Sequence, residues 1–277
     1  MPELPEVETV ANGVHERVHG QTILSVWTSN KPQTFKSPPA EISELLTGSR
    51  IDRVHRVGKT IVVELTRKPV KSDSKSAEPQ AQFLVHLGMT GRLLVSTPGT
   101  EVPPHTHAIL TLSGGKEIRF VDARRFGRLS VVSAPYAGPG REPLTISLED
   151  FIALFRKRKT PIKAALLNQK LLHGVGNIYA DEALFHAGIR PRRQAGRLTR
   201  DELTRLRAAL VKVLKQAIKL GGSSVSDYVD AEGVAGFFQL HHRVYSRTGQ
   251  PCRACSTPIE RIIVGGRSTH FCPTCQK

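Results

Sequence analysis

Cys252, Cys255, Cys272 and Cys275 form a C-x2-C-x16-C-x2-C pattern, and this spacing constrains the end of the chain more tightly than any other feature. Each C-x2-C turn brings two sulfurs to one side, and two such turns facing each other build the tetrahedron that zinc takes. Four free core thiols would need the spacing by chance. One structural Zn2+ is expected, because four protein ligands leave no open position for a reacting water. The metal would hold the intervening hairpin, which carries Arg261, Gly265, Gly266 and Arg267. A basic hairpin beside glycines can approach a phosphate backbone closely, but a zinc ribbon by itself serves equally as a protein-binding or purely stabilising module.

Charge narrows the choice of partner. The chain has 277 residues, with 40 Lys and Arg against 24 Asp and Glu, a formal net charge of +16. The excess recurs along the length, which gives a broad positive field that attracts polyanions through counterion release. Charge alone does not separate nucleic-acid binding from a merely soluble basic surface or a ribosomal or membrane-surface protein, but nucleic acid is favoured. No apolar run is long enough to span a bilayer, and the start lacks the order of a secretory signal, so a cytoplasmic location is the default. Paired cysteines in such a compartment point to metal rather than to disulfides.

Hydrophobic periodicity divides the chain. Val7, Val10, Val14 and Val18 recur three or four apart, the stripe of a helix packed on one face, and place Pro2 and Glu3 just ahead of its start. Short aliphatic runs follow at 23–27, 60–65, 83–87, 93–95, 108–112, 117–121 and 128–132, separated by turn signals such as Gly114-Gly115. They read as an antiparallel sandwich or barrel. The polar stretch 68–80 reads as an exposed loop. Beyond a linker at 133–146 the period lengthens to that of helices. Ser147 with Asp150, and Thr199 with Glu202, are N-terminal capping signatures, and Gly221-Gly222 ends the second of these helices. The expected fold is therefore α+β and multi-domain: a β domain over 1–132, a helical domain over 147–240 and a cysteine module over 241–277.

Two further stretches carry chemistry. Gly174, Gly176 and Asn177 lead into a helix, where exposed backbone N–H groups and the helix dipole favour an anion. A helix corner that needs small residues for packing is nearly as good an account. The opening MPELPEVETV sets Pro2 beside Glu3, Glu6 and Glu8 on a basic protein.

Taken together, MPELPEVETV, RVGKT (56–60), HLGMTGRL (86–93), DARRFGRL (122–129), GVGNIYADEALF (174–185) and GGRSTHFCPTCQ (265–276) resemble the bacterial formamidopyrimidine-DNA glycosylases, in that family's order and from first residue to last. The resemblance implies an N-terminal β-sandwich, a helix-two-turn-helix domain and a C-terminal zinc finger. It implies a monomer acting on damaged double-stranded DNA at the bacterial nucleoid, removing 8-oxoguanine and formamidopyrimidines and then cleaving the abasic strand by β,δ-elimination.

Carried over residue by residue, the resemblance makes Pro2 the nucleophile and Glu3 the essential acid. Lys59 takes the β-elimination and phosphate role, and Arg267 the δ-elimination and phosphate role. Asn177 matches the phosphate clamp, with Lys163, Arg158 and Lys159 as other backbone contacts. Met89, Arg124 and Phe126 match the trio that fills the duplex once the lesion is flipped out, and His105 a further DNA contact. Singly, Met89 would read as a core gap-filler and Lys59 as a surface lysine; the set decides otherwise.

The residue types suit that chemistry. With Met1 removed, Pro2 is a secondary amine of pKa roughly 8 that can attack the sugar C1′ and form an iminium. The iminium acts as an electron sink and acidifies C2′, which permits strand scission. Glu3 can act as acid and base. The target bond is hidden in the base stack, so the base must be extruded and the hole filled.

Some residues depart from the family pattern. Ser224-Val225-Ser226-Asp227 stands where Thr-Leu-Arg-Asp is frequent, His173 where a small or aliphatic residue is usual, and Asn168 where Asp is commoner. Two other classes compete with the main reading. One is an endonuclease VIII-like enzyme for oxidised pyrimidines, against which the opening ELPEVE and the RRFG motif argue. The other is a non-catalytic DNA-binding relative.

Overall fold

A computed structural model describes residues 1–66, 81–224 and 228–277. The polar stretch 68–80 and the Ser226 substitution lie outside the described residues. Two units emerge, one of residues 1–137 with 221–236, the other of 138–220 with 237–277.

The first unit begins with α1 (Leu4–Val18), whose expected stripe is realised: Val7, Val10, Val14 and Val18 are all buried. After it come β1 (Ile23–Thr28), a short α2 (Pro39–Leu46), then β2 (Arg50–Val57), β3 (Thr60–Thr66), β4 (Ala81–His86), β5 (Arg92–Ser96), β6 (Thr106–Leu112), β7 (Glu117–Val121) and β8 (Arg128–Val132). They form two four-stranded antiparallel sheets, in the orders β1-β6-β7-β5 and β2-β3-β4-β8.

One core lies between them. Alternate residues Ile61, Val63 and Leu65 of β3 join Phe83 and Val85 of β4, Leu110 and Leu112 of β6, and Phe120 of β7, with the α1 valines completing the layer. This is the expected sandwich. The Gly114-Gly115 turn joins β6 to β7, with Gly115 at φ 67°.

Residues 221–236, which the change of period assigns to the helical domain, pack with this first unit. Tyr228 and Ala231 enter its core, and Val95 donates its N–H to the Ala231 carbonyl at 3.0 Å. Gly221 and Gly222, at φ 74° and 81°, make the turn that sends the chain there.

The second unit contains α3 (Leu148–Phe155), α4 (Ile162–Leu166), α5 (Asn177–Ala187) and α6 (Arg200–Lys219), followed by the hairpin β9 (Glu260–Val264) and β10 (Arg267–Phe271). Both capping signatures form. Asp150 N–H donates to Ser147 Oγ at 3.1 Å, and Glu202 N–H to Thr199 Oγ1 at 3.2 Å while Thr199 N–H returns to Glu202 Oε2 at 2.8 Å. Leu203, Leu206, Leu210 and Leu214 make the buried face of α6. Among the described residues, no helix is long and apolar enough to cross a membrane.

Candidate functional site

In the first unit, Pro2 and Glu3 are buried immediately ahead of α1, with Glu3 as its N-cap. Glu6, one turn on and 2% exposed, holds this terminus. Its Oε2 accepts the Glu3 N–H at 2.9 Å and its Oε1 accepts the Ser223 N–H at 2.7 Å. The Tyr228 hydroxyl donates to the Glu6 carbonyl at 3.3 Å. Burial, and then the Glu6 carboxylate, hold the Tyr228 phenol far above its ordinary range, so it stays a donor. Sequence reasoning missed Glu6; a carboxylate in a capping box gives no sign of a partner more than 200 residues away.

Lys59 sits half-buried in the β2–β3 turn. That turn is tied to α1 by Arg56, whose Nε donates to Glu8 Oε2 at 2.6 Å and whose Nη1 donates to the Gly58 carbonyl at 3.2 Å. His86, across from Thr60 in the sheet, is held below its ordinary pKa by burial first, then by the charges of Lys59 and Arg128. Its Nδ1 accepts the Gly88 N–H at 3.1 Å.

Met89, Arg124 and Phe126 come together on the same unit, on two loops built around Asp122. The Asp122 carboxylate is fully buried. It accepts the Thr90 hydroxyl at 2.5 Å and the Arg124 N–H at 3.3 Å on one oxygen, and the Gly127 N–H at 2.7 Å on the other. A Cβ on Gly88 (φ 66°) would lie 2.5 Å from the Gly127 nitrogen and the Phe126 carbonyl carbon, so only glycine lets the loops meet. Met89 and Phe126 stay 40% and 49% exposed, and the Arg124 guanidinium lies 5.1 Å over the Phe126 ring. Apolar side chains held out on buried polar scaffolding are unlike ordinary core gap-fillers. His105 is also exposed, at φ 64°.

In the second unit, Gly176 caps α5, and Asn177 is its first residue, with Nδ2 donating to the Ser268 carbonyl of β10 at 3.0 Å. Arg267 is exposed at the head of β10, and Arg158 and Lys159 are exposed beyond α3. Lys163 differs from this group. It has no exposed surface, and its ammonium lies 2.6 Å from Asp181 Oδ1 and 2.8 Å from the Ser268 carbonyl. A phosphate contact expected of it has no surface to act through.

The four cysteine sulfurs lie within 4.8 Å of one another, with Cys255 and Cys272 3.4 Å apart and Cys252 and Cys275 3.9 Å apart. Tetrahedral Zn–S bonds of about 2.3 Å require an edge of about 3.8 Å, so the donor set fits such an ion. Ala254 and Cys275 direct backbone N–H groups at Cys252 and Cys272 sulfurs at 3.5 and 3.4 Å, as thiolates need. Glu182, buried on α5, anchors the entry to this module by accepting the N–H groups of Arg243, Val244 and Tyr245 at 2.8 to 3.0 Å. Burial raises its pKa against the lowering effect of those bonds.

A two-sheet unit with a buried Pro-Glu terminus, and a helical unit carrying a four-cysteine hairpin, define a protein built like the DNA glycosylases that pair a helix-two-turn-helix with a zinc finger. Family models match in that order: the formamidopyrimidine-DNA glycosylase N-terminal domain over residues 1–129, its H2TH domain over 139–229, and the zinc finger found in FPG and IleRS over 249–277. The formamidopyrimidine-DNA glycosylase of Solibacter usitatus is 46% identical over 100% of both chains. The MutM (FPG) protein of Thermus thermophilus superposes with a TM-score of 0.83 at 42% identity, covering 99% of this chain and 98% of that one. An FPG mutant of Lactococcus lactis, solved with a Fapy-dG containing DNA, superposes at 0.87 with 31% identity over 100% of both chains. The chain belongs to the formamidopyrimidine-DNA glycosylase family.

Proposed function

We propose that this protein is a bifunctional DNA glycosylase and abasic-site lyase of base excision repair, which excises 8-oxoguanine and formamidopyrimidines from double-stranded DNA. The observation that carries the reading is the exposed Met89, Arg124 and Phe126 cluster, fixed by Asp122 on the unit that holds Pro2 and Glu3. A protein that only bound duplex phosphates would have no use for apolar side chains held out beside an arginine. An enzyme that extrudes a base needs bulk to fill the hole and a donor for the orphaned partner.

After removal of Met1, the Pro2 amine attacks C1′ of the damaged nucleotide and the base leaves. Glu3 supplies the proton for the sugar and takes part in later transfers. The resulting iminium draws electrons from C2′, and loss of the C2′ proton expels the 3′ phosphate. Lys59 serves this β-elimination and holds phosphate, and Arg267 serves the δ-elimination that follows. Asn177, Arg158, Lys159 and His105 hold the backbone. One zinc ion on the four cysteines is structural: it fixes the β9–β10 hairpin and takes no part in bond breaking. The enzyme works as a monomer in the bacterial nucleoid.

Single-turnover excision from duplexes bearing 8-oxoguanine opposite cytosine, against duplexes bearing thymine glycol, tests the substrate class. Preference for 8-oxoguanine is expected. Preference for thymine glycol would move the protein to the endonuclease VIII-like class, and excision of neither would leave a DNA-binding relative.

A further inference from the structure

Lys163 and Asp181 in the second unit are both fully enclosed, and they meet as an ion pair at 2.6 Å. The pair does more than neutralise itself. Lys163 Nζ also donates to the Ser268 carbonyl at 2.8 Å, and Asn177 Nδ2 donates to the same oxygen at 3.0 Å. The second Asp181 oxygen accepts the His270 backbone N–H at 2.9 Å and lies 3.2 Å from its Nδ1. Side chains of α4 and α5 thus grip β10 at positions 268 and 270. The turn of this hairpin rests on α4, with the Cβ direction of Gly265 3.0 Å from Ala164. The residue next to the gripped carbonyl is Arg267, whose side chain is exposed.

We propose that Lys163 is a positioning residue: its ion pair with Asp181 fixes the β10 hairpin on α4 and α5 so that Arg267 is held beside Asn177 for the DNA backbone. This rests on the reading above, in which Arg267 and Asn177 meet phosphate. The charge on Lys163 is engaged inside the protein and is not offered to DNA. Burying two charges is costly, and removing one of them is costlier, because the other is left uncompensated in a dry site. Replacing both leaves no buried charge, but it removes the Lys163 hold on the Ser268 carbonyl.

That asymmetry supplies the test. Affinity for a duplex bearing a tetrahydrofuran abasic-site analogue is measured for wild type, Lys163→Met and Lys163→Met/Asp181→Asn, each with and without Arg267→Ala. Bound zinc and thermal unfolding are followed alongside. Lys163→Met should weaken binding about tenfold or more, and the paired variant, which lacks the ion pair but leaves no uncompensated charge, should regain thermal stability and zinc while its binding stays within about threefold of Lys163→Met. Arg267→Ala should weaken the wild type but cost less than about twofold on the Lys163→Met background, since the arginine is already displaced there. If Lys163→Met alone does not fold, a paired variant that folds and holds zinc yet binds about tenfold or more weaker than wild type supports the inference by itself.

A folded, zinc-holding paired variant that binds at the wild-type level overturns it. So does an Arg267→Ala cost that is equal on both backgrounds. Wild-type affinity unchanged by Arg267→Ala would overturn the phosphate role of Arg267 and this inference with it, whereas wild-type binding by the paired variant with the Arg267 effect intact overturns the inference alone.

Discussion

Glu6 Oε1 accepts the backbone N–H of Ser223 at 2.7 Å, and so joins the first turn of α1 to a segment that the chain reaches only after α3 to α6. The same carboxylate accepts the Glu3 N–H at 2.9 Å. A single buried side chain therefore holds both the proposed catalytic terminus and the Ser223 backbone just after Gly222.

Glu6→Gln should break one of these bonds, because an amide keeps a single acceptor oxygen. A loss of about 1–3 kcal/mol in unfolding free energy is expected, with excision falling further than affinity for abasic-site DNA. Urea unfolding and single-turnover excision check both parts.

Gly88→Ala would force a methyl group to within 2.5 Å of the Phe126–Gly127 backbone at a positive φ. The loops must part, so Met89 and Phe126 lose their common placement. Destabilisation of at least about 2 kcal/mol is expected. Binding to lesion-bearing duplex should fall more than binding to undamaged duplex, which competition binding would show.

The ion expected on Cys252, Cys255, Cys272 and Cys275 can be tested by metal analysis, with one zinc per chain predicted. Among the described residues, the core around these sulfurs includes only Val244 and Ile259 as fully buried aliphatic partners, too little apolar surface to hold the module alone. Cys272→Ser or chelation should abolish duplex binding while the sandwich unit retains its strand signal in circular dichroism.

His242 should make stability fall on acidification. Burial, more than the neighbouring Arg253 and Arg247, holds its pKa down to about 4 from the ordinary 6.5. The unfolded chain takes up the proton first, so the contribution is complete above pH 6.5 and is lost as pH falls toward 4. The loss amounts to about 3 kcal/mol. Denaturant unfolding of wild type and His242→Phe between these limits should show the slope in the former and its reduction in the latter.

The α1 stripe and the helix N-caps at Ser147 and Thr199 could be read from the sequence because each is a local pattern with local partners. The strand β2 could not. Its core residues Ile51 and Val54 are three apart, which breaks the period of two, and a bulge between Ile51 and Arg53 restores their common face. The zinc ligands were legible from spacing, and the Met89, Arg124 and Phe126 group from resemblance. The roles of Glu6, Asp122 and Glu182 were not, since each is a carboxylate whose partners are largely backbone N–H groups brought to it by the fold. Lys163, in a run of basic residues, reads as a surface charge until its partner Asp181 is seen.

In the proposed mechanism the Pro2 nitrogen forms the covalent bond to DNA. Borohydride reduction of the protein incubated with 8-oxoguanine duplex, followed by mass analysis, tests it most directly. A trapped adduct is expected at Pro2 of a chain lacking Met1, with its loss in Pro2→Gly. Trapping by Pro2→Gly as efficient as by wild type, or an active enzyme that retains Met1, would contradict it.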